Sequence, residues 1–314
     1  MTKTPPASLR DRLWLYQQER FPLVRNAVMM AVFSSAAVIH SALLRRQWST
    51  ENGIFPLQMI GAALLAFIVV FLFSLQARIV HEIRDFELER RQLETPLHRR
   101  MVTVKELGLV AIASGMVQLG LTLALGWQLV LLLLLVWGYL LLLRYSFSVP
   151  ALLRRSLLAR GILHTLIMPL MGLYASACDW WRVGVAPPAG LFWFLLVSFC
   201  VGMAIELGHR IRAPKDESPK EETYSQRWGR QGALMVWLSV IWLTTLATLL
   251  AGMYIRFTWQ VALVLLLLLT AAIFVAWKFY SQPTTRWANW LEWMSGIWAI
   301  ALYLSLGIIP LTAN

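Results

Sequence analysis

Nine long apolar runs limit the fold of this chain more than any other feature of its sequence. A helix needs about 20 mostly apolar residues to cross a hydrocarbon core of about 30 Å. Backbone amides find no water there, so such runs fold as helices, and the sequence lacks the alternating pattern of a membrane barrel. We predict an all-α integral membrane protein with nine transmembrane helices in a single bundle and a cytoplasmic-side cavity. The predicted spans are 26–44, 57–75, 107–125, 128–143, 161–178, 189–207, 233–254, 261–279 and 290–309.

The composition agrees with this reading. Apolar residues make up 59% of the chain and charged residues only 14%, which excludes an ordinary soluble domain. We expect residues 1–25 to form a cytoplasmic amphipathic segment and residues 26–314 to form the bundle, with no cleavable secretory signal. The two cysteines, Cys178 and Cys200, offer neither a disulfide framework nor a zinc-ligand spacing.

The formal charge of +12 is explained first by topology. If the N-terminus is inside, all of the 28 Lys and Arg residues except Arg45, Arg46, Arg182 and Arg256 fall on one side of the membrane. The positive-inside rule then places the N-terminus in the cytoplasm and the C-terminus on the opposite side. The basic excess therefore predicts orientation, and contact with membrane lipids, rather than binding to nucleic acid.

Acidic residues concentrate in two cytoplasmic stretches. The first continues the second span from Arg78 to Arg90. At about 100° per residue, His81, Asp85 and Glu89 share one helix face, with Glu82 beside them. The second stretch begins at Glu206, an acid that directly follows an apolar run, and intramembrane acids are usually functional. The alternative for the first stretch is a solvated, salt-bridged helix end that touches anionic lipid.

Carboxylates at the mouth of a helical bundle can hold Mg²⁺, which shares its remaining coordination positions with phosphate oxygens. Neighbouring arginines neutralise the phosphate oxygens that the metal leaves uncovered. A lipid diphosphate meets both requirements, since its tail lies in the apolar bundle. The expected chemistry is ionisation to an allylic carbocation that a nucleophile captures.

Both stretches resemble the motifs of the UbiA-type intramembrane prenyltransferases, nine-helix bundles with two acidic Mg-binding motifs on cytoplasmic loops. The first family motif, N/D-x-x-x-D-x-x-x-D with a following Arg-Pro, is similar to His81-x-x-x-Asp85-x-x-x-Glu89 with Thr95-Pro96. The second is similar to a bacterial subgroup, and reads Glu206-Leu-Gly-His-Arg210-Ile-Arg212-Ala-Pro-Lys-Asp-Glu217 with Thr223-Tyr224-Ser225. Further similar stretches are Tyr16–Pro22, His164–Pro169 and Tyr174–Trp180.

The sequence departs from the family pattern at several positions. His81 stands where Asn or Asp is usual, Thr95 replaces the Arg of the Arg-Pro pair, and Gly172 stands where the subgroup often has Asp. His81 is a poor ligand for Mg²⁺, which prefers oxygen.

The resemblance implies three sets of site residues. The expected catalytic residues are Asp85, Glu206 and His164. The expected ligands of the substrate diphosphate are Arg78, Arg144, Arg210, Arg212 and Tyr224. The expected Mg²⁺ ligands are Glu82, Asp85, Glu89, Glu206, Asp216 and Glu217.

The resemblance favours an Mg-dependent enzyme of the bacterial inner membrane that moves an isoprenoid chain from a prenyl diphosphate to an aromatic or other lipophilic acceptor. One alternative is a membrane terpene cyclase on the same fold. A second is a catalytically silent lipid-diphosphate-binding protein or a transporter, although we find no matched inverted repeats, which many transporters carry.

Overall fold

The structure is a computed structural model that describes residues 22–48, 56–92, 103–145, 156–181, 184–218 and 222–313. Helices dominate these ranges, and they contain no strand. The helices are α1 (Leu23–Trp48), α2 (Pro56–Gln92), α3 (Val104–Leu125), α4 (Leu129–Tyr145), α5 (Leu157–Thr165), α6 (Ile167–Trp180), α7 (Leu191–His209), α8 (Tyr224–Tyr254), α9 (Thr258–Ser281), α10 (Thr285–Tyr303) and α11 (Ile309–Ala313).

Each of the nine predicted spans is helical. Eight described segments are long and apolar enough to cross a membrane, with α5 and α6 forming one of them and α10 with α11 another. The remaining span, Leu129–Arg144 in α4, is a shorter apolar helix, separated from α3 only by the turn at Gly126. The prediction of an all-α integral membrane bundle of nine spans is confirmed. Most of the predicted N-terminal segment 1–25 lies outside the described residues, and residues 23–25 begin α1.

The second helix extends far beyond its predicted apolar span, as the charged continuation of the sequence suggested. It has 37 residues, which at 1.5 Å each gives about 55 Å, well above the thickness of the hydrocarbon core. Its apolar span runs from Met59 to Ile83, and the helix continues beyond this span to Gln92.

The fifth span is broken at Leu166, between α5 and α6. Pro169 accounts for the break, because it has no N–H and its ring crowds the carbonyl of the residue four positions earlier, Thr165. The hydroxyl of Tyr139 on α4 donates to the carbonyl of Leu163 next to the break. The break ends α5 one residue after His164.

The bundle is held by close packing and by buried polar contacts. The Ser295 hydroxyl on α10 accepts a hydrogen bond from Trp237 Nε1 on α8 at 3.0 Å and lies 3.0 Å from the carbonyl of Ala204 on α7. Such contacts join helices where lipid provides no hydrophobic driving force. Three helices are therefore fixed around one side chain.

The two ends of the bundle differ in chemistry. At the end formed by the C-termini of α1 and α6, Asp179 is buried and accepts from Arg45 Nε and from the Ser41 hydroxyl, each at 2.8 Å. The opposite end, where α2 and α7 finish and α5 and α8 begin, carries the predicted site residues. We call it the Glu206 end.

A π-helical turn, Leu304–Ile308, follows α10. A π turn contains one extra residue relative to α-helix and leaves backbone groups for other partners. His40 Nδ1 donates to the Leu306 carbonyl at 2.9 Å and stacks on Phe194. His40 thus lies away from the predicted site residues, on the part of α1 that leads to Ser41 and Arg45.

Candidate functional site

The end of the apolar span of α2 supplies the first residues of the site. Arg78 Nη2 donates to Glu82 Oε1 at 2.8 Å, the spacing of one helical turn. The Glu82 side chain is 14% exposed and the Arg78 side chain 36%. The glutamate is therefore the more buried member of the pair, and Nε of Arg78 is buried as well.

His81 and His164 join α2 to α5. His81 Nε2 and His164 Nδ1 lie 2.9 Å apart, and the ring planes make an angle of 78°. The sequence predicted functional roles for both stretches but did not predict that these two imidazoles meet. The break at Leu166 places His164 in the last turn of α5, where it reaches α2.

Glu206 lies near the C-terminus of α7, where its Oε1 accepts from Arg210 Nε at 2.6 Å. As in the first pair, the acid is the more buried member, 12% exposed against 40% for arginine. Gly161 on α5 lies opposite: a Cβ at residue 161 would stand 3.5 Å from Glu206 Cγ and 2.6 Å from Tyr224 Oη. A glycine therefore lets three helices converge at this point.

Tyr224 closes the site from α8. Its ring is fully buried, and its hydroxyl donates to the carbonyl of Leu157 at 3.4 Å. Glu206, Arg210 and Arg160 all act electrostatically on its phenol. The backbone fixes this arrangement, because Tyr224 N donates to the Arg210 carbonyl at 3.1 Å.

The loop between α7 and α8 is tied to the start of α8 by the Thr-Tyr-Ser segment. The Ser225 hydroxyl accepts from the backbone N–H of Arg212 at 3.2 Å, and the Thr223 hydroxyl accepts from Gln226 N at 3.3 Å and caps α8. Asn, Asp, Ser and Thr satisfy the free N–H groups of a helix start in this way. These contacts explain why the three residues accompany the second motif.

Two further side-chain contacts at this end were not predicted from the sequence. Arg160, next to Gly161, pairs with Glu222 just before α8. His209 Nδ1 lies 3.2 Å from Glu292 Oε1 on α10, and Arg212 and Arg25 also act on this carboxylate. Residues 160 and 222 are 62 positions apart, and Glu292 lies inside a predicted span far along the chain from His209. Neither contact can therefore be predicted from the spacing of residues along one helix.

We define the end cluster by the residues that the structure brings together here: Arg78, His81, Glu82, Arg160, His164, Glu206, Arg210 and Tyr224.

Other predicted site residues lie around this cluster. Arg144 is in the last turn of α4 and partly exposed. Arg212 faces Glu292, and Asp216 is exposed in a short 3-10 turn, Pro214–Asp216. Within the described ranges, no hydrogen bond or ion pair joins Asp216 or Glu217 to Glu206. Asp85 and Glu89 belong to α2, but their side chains lie outside the description.

The carboxylates of the end cluster suit Mg²⁺, because this ion prefers oxygen ligands. Glu82 and Glu206 approach from α2 and α7, and each pairs with one arginine through a single oxygen. Among the described side chains there is no group of three His, Cys, Asp or Glu close enough to hold a metal ion. Carboxylate oxygens are suitable ligands for Mg²⁺, and the complete set of six Mg²⁺ ligands remains a prediction.

Tyr174, at the start of one of the similar stretches, packs inside the bundle. Its hydroxyl lies 2.7 Å from the Thr122 hydroxyl and its ring packs edge-on against Phe73. It is fully buried within the bundle.

The fold and the end cluster together define a helical membrane protein whose charged residues gather at one end of an apolar bundle. A UbiA homolog from Aeropyrum pernix K1 is similar in structure, with a TM-score of 0.63 at 14% sequence identity over 89% of this chain and 96% of its own. A digeranylgeranylglyceryl phosphate synthase in membranes is similar with a TM-score of 0.60 at 13% identity, over 96% of this chain and 99% of its own. No protein-family model and no curated protein matches the sequence. The chain therefore has the UbiA-type fold, and the resemblance seen in its motifs is confirmed at the level of the fold.

Proposed function

We propose that this protein is an intramembrane prenyltransferase that moves an isoprenoid chain from a prenyl diphosphate to a lipophilic, aromatic acceptor. The observation that carries the proposal is the end cluster itself, in which arginines from α2, α5 and α7 meet carboxylates at one end of a UbiA-type bundle. That end offers charge for a diphosphate, and the bundle beside it offers apolar surface for an isoprenoid.

The arginines have the chemistry that a departing diphosphate requires. The side chains of Arg78 and Arg210 are each more exposed than the carboxylates with which they pair. A guanidinium binds two phosphate oxygens side by side, and it stabilises negative charge most where water is excluded. We assign Arg78, Arg144, Arg210 and Arg212 to the diphosphate, with Tyr224 holding Arg210 in place through its backbone.

The transfer requires three events. The C–O bond between the allylic carbon and the diphosphate breaks, and both bonding electrons leave with the diphosphate. The acceptor carbon then forms a bond to the allylic cation, and the acceptor loses a proton to a base. His164 is our candidate for that base, because its ring lies in the last turn of α5 at the edge of the apolar bundle.

Mg²⁺ supplies Lewis-acid stabilisation of the diphosphate oxygens when bound, and Glu82, Asp85, Glu89, Glu206, Asp216 and Glu217 are its proposed ligands. We further propose that the Glu206 end faces the cytoplasm of a bacterial inner membrane, because almost all Lys and Arg residues fall on that side. The C-terminus then lies on the opposite side.

The test uses the full chain purified in detergent, with geranyl, farnesyl and geranylgeranyl diphosphates, with and without Mg²⁺, and with a panel of phenolic and quinonoid acceptors. We expect diphosphate release and a prenylated product, both reduced at least about a hundredfold in Glu206→Gln and Arg210→Gln. Arg230→Gln is the matched control, since Arg230 is an exposed arginine of α8 near the same end and outside the end cluster.

Three outcomes are distinguishable. Release with a prenylated acceptor supports transfer. Release that needs no acceptor and yields a cyclic hydrocarbon contradicts transfer and supports the cyclase alternative. Binding without release from any of the diphosphates contradicts both enzymes and supports a silent binding protein.

A further inference from the structure

The contact between His81 and His164 differs in chemistry from the rest of the end cluster. Every other described pair there joins an arginine to a carboxylate, whereas this one brings together two ring nitrogens from different helices at 2.9 Å. Imidazole nitrogen is a ligand for zinc, copper, iron and nickel, while magnesium prefers oxygen. The position that resembles the start of an Mg-binding motif therefore carries a ligand that suits another class of metal.

We propose that His81 and His164 bind a divalent transition metal of the zinc class at the Glu206 end of the bundle. The inference shares its location with the proposed function and gives His164 a different role, because an imidazole that binds a metal cannot also take the proton of the acceptor. Metal binding is measured without any substrate, so the two roles are tested separately.

The distance between the two nitrogens is close to what such a metal needs. Zinc binds imidazole nitrogen at about 2.0–2.1 Å, so two ligands at a right angle stand about 2.9 Å apart and two at the tetrahedral angle about 3.4 Å. The observed 2.9 Å lies at the lower limit of this range. Replacing the shared hydrogen by a metal therefore needs a separation of at most about half an ångström between α2 and α5.

The ring orientation also permits joint ligation. The two rings are nearly perpendicular, at 78°, so their edges meet without the faces stacking. His81 uses Nε2 and His164 uses Nδ1, which leaves the second nitrogen of each ring to fix its orientation through a hydrogen bond.

The local charge tolerates a dication. Among the described side chains, Arg78 and Arg160 are the cations closest along the chain to the two histidines, and each is paired with a carboxylate, Glu82 and Glu222 respectively. Their positive charges are thus compensated inside the protein.

The experiment uses the full chain without a polyhistidine tag, purified in detergent and treated with a chelator. Co²⁺ serves as the probe, because its visible absorption reports nitrogen ligation. We expect one Co²⁺ per chain, displaced by stoichiometric Zn²⁺ and not by Mg²⁺ in about hundredfold excess. Absorption that Mg²⁺ displaces as readily as Zn²⁺ overturns the proposal.

Variants locate the site. His81→Ala and His164→Ala should each weaken Co²⁺ binding by more than about tenfold, whereas His209→Ala, a histidine at the same end that pairs with Glu292, should bind as the wild type does. His81→Asp should restore oxygen ligation and raise affinity for Mg²⁺ relative to Zn²⁺. Equal binding in wild type, His81→Ala and His164→Ala shows that the two rings form only a hydrogen bond.

Folding of each variant is checked by thermal unfolding, and His81→Gln and His164→Gln replace the alanine variants if these unfold. Failure of metal binding leaves the proposed prenyl transfer intact, since transfer is assayed with Mg²⁺ as the only added metal. Failure of transfer likewise leaves the Co²⁺ result interpretable.

Discussion

Gly161 and Tyr224 approach each other so closely that residue 161 has no room for a side chain: a Cβ there would stand 2.6 Å from Tyr224 Oη. The two residues lie on α5 and α8, and Glu206 of α7 is the next neighbour of the same glycine. The position of the phenol, and with it the geometry of the end cluster, depends on the absence of one methyl group.

We predict that Gly161→Ala destabilises the protein by about 1–3 kcal/mol, because the added methyl forces Tyr224 away from its position in a well-packed core. The prenyl transfer rate should fall as well, since Glu206 lies at the same contact. Thermal unfolding in detergent and diphosphate release measure the two effects.

Gly138→Ala is the control for this substitution. Gly138 lies in α4 with open space around its Cα, and alanine there gains at most about 1 kcal/mol of helix propensity. If both alanine variants unfold at the same temperature as the wild type, the proposed crowding at Gly161 is wrong.

The ion pair at the other end of the bundle should stabilise the fold. Asp179 accepts from Arg45 and Ser41 in a buried setting, so Asp179→Ala leaves a partly buried guanidinium without its anion. We expect a loss of about 3 kcal/mol in the free energy of unfolding. The double variant Arg45→Met with Asp179→Leu should regain most of this loss, because it removes both charges. A double variant no more stable than Asp179→Ala would contradict this account.

Gln118 on α3 connects three helices through its amide. Its Nε2 donates to the Val69 carbonyl on α2, its Oε1 accepts from Trp137 Nε1 on α4, and both distances are 3.0 Å. We predict that Gln118→Leu costs about 1–2 kcal/mol, the range of hydrogen bonds between membrane helices. Thr270→Val is the matched control, since the Thr270 hydroxyl bonds only the Leu266 carbonyl of its own helix and is exposed. Equal stability of the two variants counts against the role of Gln118.

The two free cysteines provide a measurement of unfolding. Cys178 and Cys200 are both buried in the bundle, so a maleimide should react slowly with the folded protein and rapidly once heat opens it. Lys215→Cys adds an exposed thiol in the loop after α7 and should react at once at any temperature. Immediate labelling of the wild type at low temperature would show that the helices around Cys178 separate easily.

The fold could be predicted from the sequence because each transmembrane helix requires a long run of apolar residues. The charged residues after Arg78 also recur at helical spacing, which predicts that the second helix continues past its apolar run. The Glu206–Arg210 pair has the same helical spacing, since the two residues are one turn apart. Contacts between different helices produce no comparable pattern in the sequence. The His81–His164 pair depends on the break at Leu166, and the Arg45–Asp179 pair depends on how α1 packs against α6. Only the tertiary arrangement brings these residues together.

The arginines of the end cluster already have anionic partners, namely Glu82, Glu206 and Glu222. Under the proposed function, an entering diphosphate would displace a carboxylate from each guanidinium, and the number of ion pairs would change little. Such binding would be an exchange of anions, so its affinity should depend less steeply on salt concentration than that of a site with unpaired arginines. The displaced carboxylates would then be available to the proposed Mg²⁺, so the cluster itself would favour binding of the diphosphate before the metal.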